Sequence, residues 1–238
     1  MSNELAVLTA TGASVGFLHA LLGPDHYLPF IVLSKSRGWS VRKTALITLL
    51  CGAGHVGSSV VLGMIGIAAG IALSHLELTE SARGEVAAWL LTAFGLLYFV
   101  WGIRRAVQNR PHTHAHVHLG ATEHAHEHTH GADHTHPHDL EDPARKPLTP
   151  WILFLIFVFG PCQPLIPILM FPAATQSFWG LALVTGVFAA VTISTMLAVV
   201  LLSVFGLSFV PSGRLVRYSH ALAGAAITAC GVAVHLGL

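Results

Sequence analysis

Apolar residues fill six long runs separated by polar connectors: Leu5 to Leu33, Thr44 to Leu73, Val86 to Ile103, Trp151 to Pro172, Phe178 to Phe205 and Leu215 to Leu236. Each run can cross about 30 Å of hydrocarbon as a helix, some with tilt. None alternates as a barrel strand does, and lipid tolerates no unpaired backbone, so the pattern predicts helices throughout. Lys35, Arg37, Arg42 and Lys43 lie between runs one and two. Arg104, Arg105, Arg110, Arg145 and Lys146 lie between three and four, and Arg214 and Arg217 between five and six. Eleven of twelve basic residues thus share one side, which predicts a multi-pass protein of the inner (plasma) membrane with those connectors cytoplasmic and both termini outside. Arg83 alone breaks the pattern, among Glu77, Glu80 and Glu85.

A weak internal repeat refines this picture. GPDHYLP (Gly23 to Pro29) in run one resembles GPCQPLIP (Gly160 to Pro167) in run four, and Gly95 and Gly102 in run three share their seven-residue interval with Gly224 and Gly231 in run six. Three spans per repeat forces inverted topology, with Pro24, Pro29, Pro161, Pro164 and Pro167 as helix breakers. The expected fold is therefore all-α, six transmembrane helices in two inverted three-helix repeats, with helices one and four broken. Residues 1–106 form the first repeat, 107–148 a connector and 149–238 the second repeat.

Composition agrees with a membrane location. Of 238 residues, 53% are hydrophobic and 10% charged, and the formal net charge of +1 implies no nucleic-acid partner. The first run lacks a basic leader and is expected to be a membrane helix rather than a cleaved signal. Cys51, Cys162 and Cys230 fall in apolar runs without zinc-type spacing, so reduced thiols are expected.

Ionisable side chains inside apolar runs mark the candidate site, because burying them in hydrocarbon is costly and such groups usually face a polar path. His19, Asp25 and His26 stand in HALLGPDH, and His55 in CGAGHVGSS. On a straight helix His19 and His26 would be separated by about 10 Å along the axis. The Gly23-Pro24 break lets Asp25 and His26 fold back toward His19. Imidazole and carboxylate donors together suit nickel, cobalt or zinc. His19, Asp25, His26 and His55 are thus the expected metal ligands, with Cys51, Ser58, Cys162, Gln163 and Thr192 as neighbours or pathway residues. His75, His220 and His235 are expected to serve as interhelical hydrogen-bonding residues.

The connector carries eleven of seventeen histidines: His112, His114, His116, His118, His124, His126, His128, His130, His134, His136 and His138. They alternate with small or acidic residues that have little to bury, so the segment is expected to be disordered without ligand and to act as a cytoplasmic metal sponge.

HALLGPDH and the Gly-His element of run two resemble the signatures of the nickel/cobalt transporter family, whose first motif is a histidine, four residues, then Asp-His. Here five residues intervene, Ala20 to Pro24, and the family's acidic motif in its later half is missing from run four. Gly160-Pro161-Cys162 and the histidine-rich stretch are similar to the six-helix efflux branch. A more distant resemblance reaches the membrane thiol-disulfide carriers of cytochrome c maturation, which use inverted three-helix repeats and prolines beside a cysteine. Those carriers need a cysteine in each repeat; this chain has Cys162 in the second but Asp25 at the matching position of the first, which leaves Cys51 to be recruited.

The leading expectation is a transporter, not an enzyme, that moves divalent nickel or cobalt, with zinc as a further fit, by alternating access through His19, Asp25, His26 and His55. No resident cofactor is expected. Expected partners are the metal ions, the lipid bilayer, a second copy of the chain or a cytoplasmic metal chaperone. The alternatives are a thiol-disulfide electron carrier using Cys162 and an exporter of sulfite or another small anion.

Overall fold

The computed structural model describes residues 3–108, 112–117, 123–128, 148–174, 178–208 and 217–237. The membrane core is helical. Helix α1 (Asn3–Leu22) leads through a 3-10 turn (Pro24–His26) into α2 (Leu28–Arg37), followed by α3 (Val41–Ala68) and α4 (Leu73–Gln108). After the connector come α5 (Leu148–Phe159), α6 (Leu165–Ala174), α7 (Phe178–Ser208) and α8 (Ser219–His235). Four helices are long and apolar enough to cross a membrane, Asn3–Leu22, Val41–Ala68, Leu73–Gln108 and Phe178–Gly206, while Leu148–Phe159 and Ser219–His235 are shorter apolar helices. Large exposed side chains such as Leu97 and Leu202 suit an outer surface solvated by lipid.

Local chemistry sets the element ends. Pro24 and Pro29 each occupy the first turn of the element they open, where a missing N–H costs nothing. Helix α2 stops at Gly38, whose φ of 60° is the left-handed region open to glycine. Two residues on, the Ser40 hydroxyl accepts from the Lys43 N–H and caps α3.

One expectation is corrected. Run three was expected to begin at Val86, yet α4 begins at Leu73 and carries Glu77, Glu80, Arg83 and Glu85 on helical backbone. Glu80 and Arg83 are three residues apart and pair on one helix face, so these charges need no loop. Within the connector, β1 (His112–Val117) pairs antiparallel with β2 (Glu123–His128), placing His112, His114 and His116 opposite His128, His126 and His124. Histidine at every second position is the repeat of a strand. His118, His130, His134, His136 and His138 lie outside the described residues.

The core is organised by close helix approaches. Helix α4 packs along α8 in antiparallel register: a methyl group on Gly95 would come within 3 Å of Thr228 backbone, on Gly102 of Ala221, on Gly224 of Phe99 and on Gly231 of Thr92. The Tyr98 hydroxyl bonds His220 Nδ1 across this seam at 2.8 Å, as expected for an interhelical histidine. Helix α1 packs along α7, with Gly12 against Val184 and Gly16 against Phe188. Helix α3 packs along α5 and α7.

Gly224→Val should destabilise the protein by about 1–3 kcal/mol, because a side chain there must displace Phe99 backbone. Gly57→Ala, where nothing lies within 4 Å, should be neutral. Chemical unfolding of both variants in detergent checks this, and equal stabilities would refute the packing described.

Candidate functional site

Both Gly-Pro breaks meet at the site. Helix α1 ends at Leu22, and the turn that follows is closed by backbone bonds from His26 N to Gly23 O (3.1 Å) and from Tyr27 N to Pro24 O (3.3 Å). This fold-back places the His26 ring 4.5 Å from that of His19, centroid to centroid. From α3, His55 stacks parallel to His19 at 5.8 Å and meets His26 edge-on at 4.9 Å. The Nε2 atoms of His26 and His55 are 3.3 Å apart. His26 Nδ1 faces the Gly23 carbonyl at 3.2 Å and Asp25 Oδ1 at 3.1 Å. His19 Nε2 is buried and has no hydrogen-bond partner.

The second break contributes Cys162. Helix α5 ends at Phe159 and α6 begins at Leu165, and between them Cys162 is fully buried. One ligand atom each from His19, His55 and Cys162 lie within 4.8 Å of one another. Gly160 permits this approach, since a methyl group there would stand 3.1 Å from His55 Nδ1.

A buried ionic network holds the second break, and sequence reasoning missed it. Glu80 is fully buried on α4 and Oε2 accepts from the Cys162 backbone N–H at 3.0 Å and from the Ser59 hydroxyl at 3.0 Å. Ser59 in turn accepts from the same Cys162 N–H at 3.1 Å. Arg83 pairs with Glu80 and donates to Ser58 Oγ and to the Val158 carbonyl, each at 2.8 Å. The carboxylate thus replaces a helical carbonyl as acceptor for a backbone donor freed by the break. One signal was visible beforehand: Arg83 is the basic residue on the wrong side of the charge pattern, three positions from an acid.

The other predicted residues fall around this centre. Ser58 bonds the His55 carbonyl and Arg83 rather than facing the imidazoles. Thr192 on α7 donates to the Gly16 carbonyl at 3.4 Å and ties α1 in place one turn before His19. Cys51 is buried in the hydrophobic core with Leu153, Met196 and Cys230, outside the His19–His55–Cys162 group. Gln163 is exposed, whereas its neighbour Cys162 is buried.

The chain matches the model of the family described as the transmembrane region of cytochrome C biogenesis proteins over residues 28–233. No curated protein and no solved structure matches it. The match overturns the resemblance to nickel/cobalt transporters, and with it the reading of the chain as a carrier of nickel, cobalt or other divalent metal ions. Physically, that resemblance rested on HALLGPDH, where the histidine spacing is one residue too long and which ends at His26, before the matched stretch starts, and on the Gly54-His55 pair of run two, which is too short to specify a family. The matched stretch includes His55, Glu80, Arg83 and Cys162, and covers far more than half of the sequence. This chain belongs to the cytochrome C biogenesis transmembrane-region family.

Proposed function

We propose that the protein is a membrane thiol-disulfide electron carrier of cytochrome c biogenesis whose reactive sulfur is Cys162. The observation that carries this reading is the placement of a free, fully buried thiol at a helix break, with imidazole nitrogens of His19 and His55 within 4.8 Å of its sulfur. Thiolate is the species that attacks a disulfide, and an adjacent imidazole is the side chain suited to take the thiol proton. Family membership favours the same chemistry.

The exchange balances with Cys51 as second thiol. Cys162 gives its proton to an imidazole and attacks a disulfide of a partner protein; the partner S–S bond breaks, a mixed disulfide forms and the other partner sulfur leaves as a thiol. Cys51, one helical turn from His55 on α3, then attacks Cys162 sulfur, which forms a Cys51–Cys162 disulfide and releases the partner as a dithiol. The partner gains two electrons and two protons that the chain loses. A dithiol partner on the opposite membrane face restores both cysteines by the reverse steps. Cys51 lies outside the His19–His55–Cys162 group, so the second step requires the α5–α6 break to move toward α3.

The architecture we infer is six spans in two inverted repeats, α1/α2 and α5/α6 being the broken first spans of each. Helix α1 lies along α7 and α5 along α3, the pairings that interchange when run one swaps with run four and run two with run five, and α4 lies along α8. Charge asymmetry supports both termini outside and the histidine-rich connector in the cytoplasm. Motion of the two breaks within such a frame gives a buried thiol access to either face in turn.

Proteoliposomes holding reduced thioredoxin inside and the charged disulfide dithiobis-nitrobenzoate outside test the proposal. Wild type should release the coloured thiolate at least tenfold faster than vesicles carrying Cys162→Ser, and Cys51→Ser should stop after one mixed disulfide per chain. Equal rates for wild type and Cys162→Ser would overturn the assignment.

Glu80 is proposed as a positioning residue for the same sulfur. Glu80→Leu leaves the partly buried Arg83 without its counter-ion, a loss of about 3 kcal/mol, whereas Glu80→Leu with Arg83→Met should recover most of the stability. Exchange should remain slow in the double variant, because the Cys162 N–H has lost its carboxylate acceptor. Exchange at the wild-type rate would leave Glu80 with a purely structural role.

A further inference from the structure

The facing nitrogens of His26 and His55 pose a problem that their own hydrogen bonds create. His26 Nδ1 faces two acceptors, the Gly23 carbonyl and Asp25 Oδ1, which assigns a proton to Nδ1 and leaves a lone pair on Nε2 in the neutral ring. His55 bonds the Phe157 backbone, and its Nδ1 lies on the Gly160 side, so Nε2 is the nitrogen it turns toward His26. Two imidazole nitrogens at 3.3 Å attract when a proton or a metal cation stands between them. His19 Nε2 is buried nearby with no hydrogen-bond partner, Cys162 sulfur lies with His19 and His55 in a group of three donors, and His26 Nε2 stands beside that group through His55.

We propose that His19, His26, His55 and Cys162 form a resident tetrahedral site for a divalent cation of borderline softness, zinc being the best fit. Two nitrogen ligands on one zinc ion, with bonds of about 2.1 Å at the tetrahedral angle, stand about 3.4 Å apart, the separation His26 and His55 already have. The His19–His55–Cys162 group, now within 4.8 Å, closes by roughly 1 Å to reach bonding distance. Three imidazoles and one thiolate are a zinc-type donor set. Asp25 takes the supporting place of a carboxylate on the far nitrogen of a ligand histidine, which orients the His26 ring and raises its basicity. Sulfur on the metal is withheld from disulfide exchange, so occupancy by zinc would hold a carrier of this kind shut. The site itself stands on donor geometry, whether or not Cys162 exchanges disulfides.

The connector histidines also bind metal, so the test reads the sulfur ligand alone. The full chain, purified in detergent and stripped with chelator, is titrated with cobalt(II) as a spectroscopic substitute for zinc. Wild type should develop one equivalent of a near-ultraviolet thiolate-to-cobalt charge-transfer band together with intense tetrahedral visible bands, both bleached by one equivalent of zinc. Cys162→Ser should lose the charge-transfer band, Cys51→Ser should keep it, and Asp25→Asn should weaken cobalt binding by about 10–100-fold, with helix content by circular dichroism unchanged in each. Absence of the band in wild type, or its persistence in Cys162→Ser, would overturn the site. Cys51→Ser also separates the two proposals, since it should abolish electron transfer while leaving the metal band intact.

Discussion

A helix that breaks inside hydrocarbon must find partners for the backbone groups it frees, and this requirement shapes the centre of the molecule. The chain meets it in two different ways. At the first break the turn is self-contained: Gly23 N bonds His19 O, His26 N bonds Gly23 O, and Pro24 has no N–H to satisfy. At the second break the donor of Cys162 has no helical carbonyl to use and is met by Glu80 and Ser59 from other helices. A carboxylate in that position needs its own counter-charge, which Arg83 supplies from the next turn of α4.

Everything chemically active follows from how these breaks are held. The first turn folds His26 back on His19, and the second brings Cys162 within 4.8 Å of ligand atoms of His19 and His55. Glycines at Gly16 and Gly160 let α1 and the second break come close to their neighbours. The α4–α8 seam, built from four glycines that meet backbone, carries Glu80 and Arg83 on the same helix that it anchors. The ionic clamp on Cys162 therefore inherits its position from a packing interface several turns away.

The correction of family shows how short donor patterns mislead. Histidine and aspartate at a kinked turn are what many unrelated sites require, so HALLGPDH alone resembles metal carriers. The cytochrome C biogenesis match instead spreads over the helical core from residue 28 to 233. Within it, the feature with the clearest chemistry is the Gly160-Pro161-Cys162 break, whose thiol the first reading had treated as a neighbour of the site. Cys162 is the residue that both proposed chemistries share.

Apolar run length by itself determined that the protein is helical and resides in a membrane, because lipid leaves the backbone no alternative. Gly-Pro pairs located both breaks, since proline cannot continue the ladder of a helix, and buried imidazoles announced a site because hydrocarbon penalises them. Tertiary structure alone decided that α4 extends back to Leu73, that Glu80 and Arg83 turn inward to clamp Cys162, that Gln163 is exposed and that Ser58 bonds Arg83. Helical periodicity states which residues share a face but not which neighbour that face meets. A charge pair reads as a solvated connector until another helix is seen to need a hydrogen-bond acceptor at that depth.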